Sequence, residues 1–94
     1  MTNAVDTQCI LKIRNKRGLH ARASAKFVQL AEEYDVTVMV SKDGHAVGGT
    51  SIMGLMMLAA ANGSEIHVSV SGSDAQKAMH ALKQLVENRF GELE

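Results

Sequence analysis

Ninety-four residues, 46% of them hydrophobic, suffice for one small core and are too few for two. Ten Lys and Arg balance ten Asp and Glu, and one Tyr and two Phe are the only aromatic residues, so the chain lacks both the basic excess and the stacking surface of a nucleic-acid binder. The lone Cys9 cannot close an internal disulfide, and no apolar run approaches the roughly 20 residues of a membrane helix, which points to one cytoplasmic domain over residues 1–94 with no membrane partner.

Residues 1–7 are polar, carry neither the basic head nor the apolar core of a secretory signal, and read as disordered. From Gln8 to Arg14 the chain alternates, with Cys9, Leu11 and Ile13 on one face and Lys12 and Arg14 on the other, the period of a strand buried on one side. Asn15-Lys16-Arg17-Gly18 is turn material. Ala21 to Tyr34 predicts a helix whose apolar stripe holds Phe27, Val28, Ala31 and Tyr34. Val36 to Ser41 is a β-branched strand with Val36, Val38 and Val40 facing together. Asp43-Gly44 predicts a hairpin turn, and Ala46 to Gly48 the short return strand.

Ser51 to Leu58 reads as a short helix capped by Ser51, with Asn62-Gly63 as residues that tolerate left-handed backbone at its end. Glu65 to Ser71 alternates again, Ile66, Val68 and Val70 against His67 and Ser69. Ser73 and Gln76 have the spacing of a capping box before a last helix. In that helix Ala75, Ala78, Met79, Leu82, Leu85, Val86 and Phe90 hold helical spacing, and Gly91 is its stop. The order is β-α-β-β-α-β-α. Strands with single apolar faces call for an antiparallel sheet with helices layered on that face, an open-faced α+β sandwich. By order alone the first six elements also fit a ferredoxin-like arrangement.

The chemistry concentrates in Gly18-Leu19-His20-Ala21-Arg22. Gly18 relieves a tight turn. His20 falls at or just before the first turn of a helix, where unpaired N–H groups and the helix dipole favour an anion. Arg22 adds a cation that can fork onto phosphate oxygens. A histidine there can take a phosphoryl group and have the new charge stabilised at once. Ile52, Met53, Met56 and Met57 crowd a two-turn helix, so they cannot all point inward, and methionine suits adaptable binding surfaces. His45, His67 and His80 form no spaced ligand set with Cys9, so no metal site is expected. Gly48-Gly49-Thr50-Ser51 lacks the lysine of a nucleotide-binding loop, so no cofactor is expected.

Two of these stretches carry a resemblance. Gly18-Leu19-His20-Ala21-Arg22 resembles the active-site sequence of HPr, the histidine-containing phosphocarrier of the bacterial phosphotransferase system. Thr50-Ser51-Ile52-Met53-Gly54-Leu55-Met56 resembles that family's regulatory serine and the short helix after it. The motifs lie in the family's order and spacing, and the resemblance runs from about Cys9 to Phe90. It implies an HPr-like open-faced β-sandwich, a four-stranded antiparallel sheet with three helices on one face. It also implies that His20 accepts a phosphoryl group on Nδ1 from phosphorylated enzyme I, that Arg22 stabilises it, and that an enzyme IIA component receives it. Ser51 becomes the regulatory phosphorylation site of an HPr kinase/phosphorylase, and Ala21, Ser24, Ala25, Ile52, Met53 and Met56 the partner-binding surface. The protein is then a monomeric carrier that serves as a substrate of other enzymes and is not itself an enzyme. The family usually has proline directly after the arginine; Ala23 stands there in this chain and makes the site less rigid. Sugar uptake and a nitrogen-type regulatory branch remain equally open. The competing reading is a small ligand-binding domain of ferredoxin-like type, dimeric and with a pocket, in which His20 is structural.

Overall fold

A computed structural model of the chain describes residues 5–93. Along the chain run β1 (Val5–Lys12), α1 (Ala21–Ala31), β2 (Thr37–Lys42), β3 (His45–Gly48), α2 (Ile52–Met57), β4 (Glu65–Gly72) and α3 (Ala75–Glu87), followed by one 3₁₀ turn at Arg89–Gly91. The strands form one sheet in the order β1-β4-β2-β3, every neighbouring pair antiparallel. β4 and β2 occupy the centre and β1 and β3 the edges. A ferredoxin-like sheet would place its first and third strands in the centre, so the ferredoxin-like alternative is corrected.

Register turns the alternating pattern into a core. Cys9 pairs with Val68, Val68 with Val40, and Val40 with Val47, so one apolar row crosses all four strands. Thr7, Val70 and Val38 make a second row. Val38, Val40, Ile66, Val68 and Val70 are buried on the covered face, while His67 is exposed on the other. α3 lies over β1 and β4, α2 against β3, and α1 packs on both α2 and α3. Phe27, Leu55, Leu82, Val86 and Phe90 fill the space between helices and sheet with no exposed surface. Each such side chain contributes about 1.5–3 kcal/mol by burial.

The ends of elements differ from expectation. β1 begins at Val5, not Gln8, and residues 5–7 pair with 70–72. Ladder hydrogen bonds come from the backbone and need no apolar pattern, so the expected disordered segment 1–7 is corrected over 5–7; residues 1–4 lie outside the described residues. α1 ends at Ala31, three residues before Tyr34, where Glu33 and Tyr34 donate to Leu30 and Ala31 in a tightened turn. α3 ends at Glu87, because Arg89 (φ +57°) and Phe90 (φ +54°) take left-handed backbone. Phe90 still reaches the core, by a bend and not along the helix. The capping box does not form. Asp74 is the N-cap of α3 without a side-chain cap bond; its carboxylate accepts the Asp35 N–H at 3.1 Å, and Ser73 Oγ donates to Asp35 at 2.9 Å. Among the described residues no helix is long and apolar enough to cross a membrane.

Candidate functional site

The link from β1 to α1 is built on the loop that follows α2. Ile13 donates to the Ser64 carbonyl and accepts from Gly63, and Asn62 Nδ2 donates to the Arg14 carbonyl at 3.0 Å. Gly18 has φ +68° and packs so closely on the chain that a Cβ there would fall on the Ala60 carbonyl oxygen. Leu19, buried, donates its N–H to that same oxygen at 2.9 Å. These contacts deliver His20 in extended backbone as the N-cap of α1, its carbonyl accepting the Ser24 N–H at 2.9 Å.

Both ring nitrogens of His20 are held. Nδ1 accepts the Arg22 N–H of the first turn at 3.3 Å. Nε2 lies 2.5 Å from Glu92 Oε2. A carboxylate has no proton to give, so Nε2 carries the hydrogen and Nδ1 keeps its lone pair toward the helix amide. The side chain is 23% exposed, enough for a partner to reach it. Glu92 feels opposing effects: burial raises its carboxyl, but hydrogen bonds from Asn15 and His20, with the charge of Lys26, leave it below the usual glutamate value.

Asn15 completes the arrangement. It has no exposed surface, and its Nδ2 donates to Glu92 Oε1 at 3.0 Å and to the Gly18 carbonyl at 2.8 Å. Its Oδ1 is buried without a hydrogen-bond partner among the described residues. The flipped amide would be worse, turning its oxygen toward a carbonyl and a carboxylate.

Charge is sorted in space though the chain is neutral overall. Lys16, Arg17, Arg22 and Lys26 line one open depression opposite Gly91, Glu92 and Leu93. Lys26 Nζ donates to the Phe90 carbonyl at 2.6 Å and ties the tail to α1. Arg22 is exposed on the turn that bears the Nδ1 contact. Ala23, where proline is usual in the resembling family, is the third residue of α1 and fully buried.

Ser51 is the exposed N-cap of α2, its Oγ accepting the Gly54 N–H at 2.9 Å. Leu55 and Leu58 anchor this helix in the core, and Ile52, Met53, Met56 and Met57 are exposed, Met53 at 69% and Met57 at 76%. Ala21 is exposed and Ala25 half-buried on the neighbouring α1. Ser24 is a correction: it is fully buried and its hydroxyl donates to the Leu19 carbonyl at 3.1 Å, so it supplies no docking contact. Its spacing to Phe27, Val28 and Ala31 is that of the apolar stripe, a signal that identifies it as an inward position. His45, His67 and His80 are exposed, and no cluster of three or more metal-ligating side chains exists among the described residues. Glu92 and Asn15 were absent from the sequence-based site. Glu92 lies 72 residues from His20, and Asn15 has the composition of a turn.

A family model described as "PTS HPr component phosphorylation site" matches residues 7–88. The "Phosphocarrier protein HPr" of Neisseria meningitidis serogroup A is 51% identical over 82 residues, 87% of this chain and 92% of its own length. The crystal structure of HPr-C-His from Thermoanaerobacter tengcongensis superposes with a TM-score of 0.89 at 40% identity, covering 94% of this chain and 99% of that one. An HPr dimer from the same organism gives 0.74 at 43% identity, covering 87% and 94%. With its β-α-β-β-α-β-α order, its histidine-capped first helix and this degree of identity, the chain belongs to the HPr family of phosphocarriers of the phosphotransferase system.

Proposed function

We propose that His20 is the phosphoacceptor, taking a phosphoryl group on Nδ1 from phosphorylated enzyme I and handing it to an enzyme IIA component. The observation that carries this is the ring's orientation: Nε2 is occupied by Glu92, and Nδ1 points at the first-turn amide of α1. A phosphoryl group bonded to Nδ1 takes over that amide and meets the positive end of the helix. Arg22 adds its guanidinium from the same turn. Phosphoryl transfer needs such positioning and charge stabilisation more than covalent help from the protein. The N–P bond keeps a high transfer potential, and the partly exposed ring lets a partner approach in line.

Ile52, Met53 and Met56, with Ala21 and Ala25, form the docking surface in this reading; their exposure on two adjacent helices supports it. Ser51 is the regulatory site for an HPr kinase/phosphorylase. The residue is exposed, and a phosphate there sets roughly two negative charges beside the apolar surface. The protein acts in the cytoplasm as a substrate of other enzymes, as a monomer and without a cofactor. Because a relative is described as a dimer, sedimentation of the free protein is the test of that state.

The deciding experiment is incubation with phosphoenolpyruvate and enzyme I. The expected product is one added phosphate by mass, acid-labile and hydroxylamine-sensitive. An acid-stable adduct, or none, overturns the assignment to His20. Incubation with the kinase and ATP, followed by mapping of the label, tests Ser51; label elsewhere leaves Ser51 as a helix cap only.

A further inference from the structure

We propose that the free edge of β1 is a docking surface for a second copy of this chain, the two strands pairing antiparallel about a two-fold axis at Cys9. The inference is independent of the phosphoacceptor reading. The sheet has two edges, and they differ. β3 is four residues long, a poor template for another strand. β1 runs for eight residues against β4 in unbroken register, without a bulge, and the chain holds no proline to blunt it. Thr7 to Leu11 carries no charge that would repel a neighbouring strand. Among the described residues no strand pairs with the outer side of β1.

The end of the strand shows which backbone groups face outward. Ile13 donates to Ser64 and accepts from Gly63, so its amide and carbonyl point toward β4. Directions alternate along a strand. Thr7, Cys9 and Leu11 therefore bond inward, and Asp6, Gln8, Ile10 and Lys12 turn their N–H and C=O groups to the open edge. A two-fold axis at Cys9 sets Gln8 opposite Ile10 of the second copy and Asp6 opposite its Lys12, all of them outward-facing, so the ladder continues across the axis. Asp6 and Lys12 are exposed and opposite in charge, and the symmetry brings them together twice. The rest of the molecule has the same polarity. Asp35 and Asp74 lie at the Asp6 end, next to Gly72, and Arg14 and Arg89 lie beside Lys12. Antiparallel association sets acid against base, and parallel association would set like against like.

Side chains fit the same axis. Ile10, 55% exposed on the uncovered face, stands diagonal to Ile10 of the second copy, within reach of a long side chain. On the covered face Cys9 meets its own copy in a pair without hydrogen bonds. Cα atoms in such a pair approach to about 4.5 Å, inside the roughly 4.4–6.8 Å that a disulfide spans. Cys9 Sγ leans to this edge, 3.7 Å from the outward Ile10 carbonyl oxygen. α2 lies against β3 at the opposite edge, so the pair leaves the methionine surface of both copies open. The edge offers ladder bonds and little apolar area, so the association is weak and the dilute chain stays monomeric.

The test uses the full chain and two readouts. In Cys9→Ser, amide exchange is followed by NMR as concentration rises into the millimolar range; the Gln8 and Ile10 amides are expected to slow severalfold while the rest of the sheet is unchanged. Wild type is then oxidised with diamide. Two Cys9 thiols give up two protons and two electrons, which reduce diamide to its hydrazine, and the two sulfurs join in a disulfide-linked dimer. Asp6→Lys or Lys12→Asp alone sets like charges opposite each other at both ends of the pair and is expected to slow this cross-linking about fivefold. The two substitutions together restore the wild-type rate. Gln8 and Ile10 amides that ignore concentration overturn the proposal. So does cross-linking that ignores the charge exchange, which marks chance collision of thiols. Mixing isotopically labelled and unlabelled chain gives the last outcome: edge-paired copies trade within seconds, and a dimer that trades only over hours overturns the proposal in favour of strands exchanged between folds.

Discussion

The N-termini of α1 and α2 meet the same local demand with different residues. Each begins after an extended cap, His20 or Ser51, whose side chain accepts a backbone N–H from the first turn. The differences lie beyond that bond. α1 runs for eleven residues and α2 for six, so only the first has a substantial dipole at its end. The imidazole is gripped at its second nitrogen by Glu92, which shares an open depression with four cations, whereas Ser51 stands exposed on the Gly54 bond. Phosphorus on an imidazole nitrogen leaves readily, while phosphorus on a serine oxygen is an ester that stays until it is removed. On the proposed reading one cap passes a group on and the other retains it.

The sharpest way to break this contrast is to exchange the caps' chemistry. His20→Ala is expected to abolish labelling by phosphoenolpyruvate and enzyme I, read as a lost mass shift; residual acid-labile label would show that another residue shares the role. Arg22→Ala leaves α1 its cap and removes one cation, and transfer is expected to slow about tenfold, with unchanged circular dichroism. An unaltered rate would reduce Arg22 to a solvated charge. At the other helix, Ser51→Asp places a fixed negative charge beside Ile52 and Met53; exchange with enzyme I is expected to fall about fivefold through like-charge repulsion. An undiminished rate would separate Ser51 from the docking surface.

Two smaller effects concern stability. Ser51→Ala removes the bond to Gly54 and is expected to cost about 1 kcal/mol, a fall in Tm of roughly 4–8 °C for a domain of this size. The α1 cap has an acid dependence that the α2 cap lacks. Glu92 is held below the 4.5 of a free glutamate, so its contribution is complete above that pH and is lost as pH falls through the lower, folded value. Denaturant midpoints of wild type and Glu92→Gln are expected to converge as pH falls below the ordinary glutamate value. Parallel curves would show that Glu92 is not coupled to folding.

What could be read without coordinates was whatever repeats. Ile66, Val68 and Val70 announce a one-sided strand, and Phe27, Val28 and Ala31 a one-sided helix, because burial imposes a period of two or 3.6. What could not be read is whatever depends on one backbone angle or one distant partner. The apolar spacing runs unbroken to Phe90, yet Arg89 and Phe90 turn left-handed and end the helix at Glu87. That bend is what sends Glu92 back to a histidine 72 residues earlier, and no local pattern encodes such a meeting. Residues 5–7 join the sheet by pairing with 70–72. The place of His20 at a helix end was legible because such ends are marked locally; Asn15 looked like any turn residue and proved buried.

The Ala60 carbonyl, three residues beyond α2, receives the Leu19 N–H and has Gly18 resting on it. The spacing between imidazole and methionine-bearing helix is therefore gauged by main chain. Side chains on the exposed face of α2 can change without disturbing the main-chain contact that calibrates the reach of the ring. Lengthening or shortening the loop at 59–63 would miscalibrate it without altering a single surface side chain.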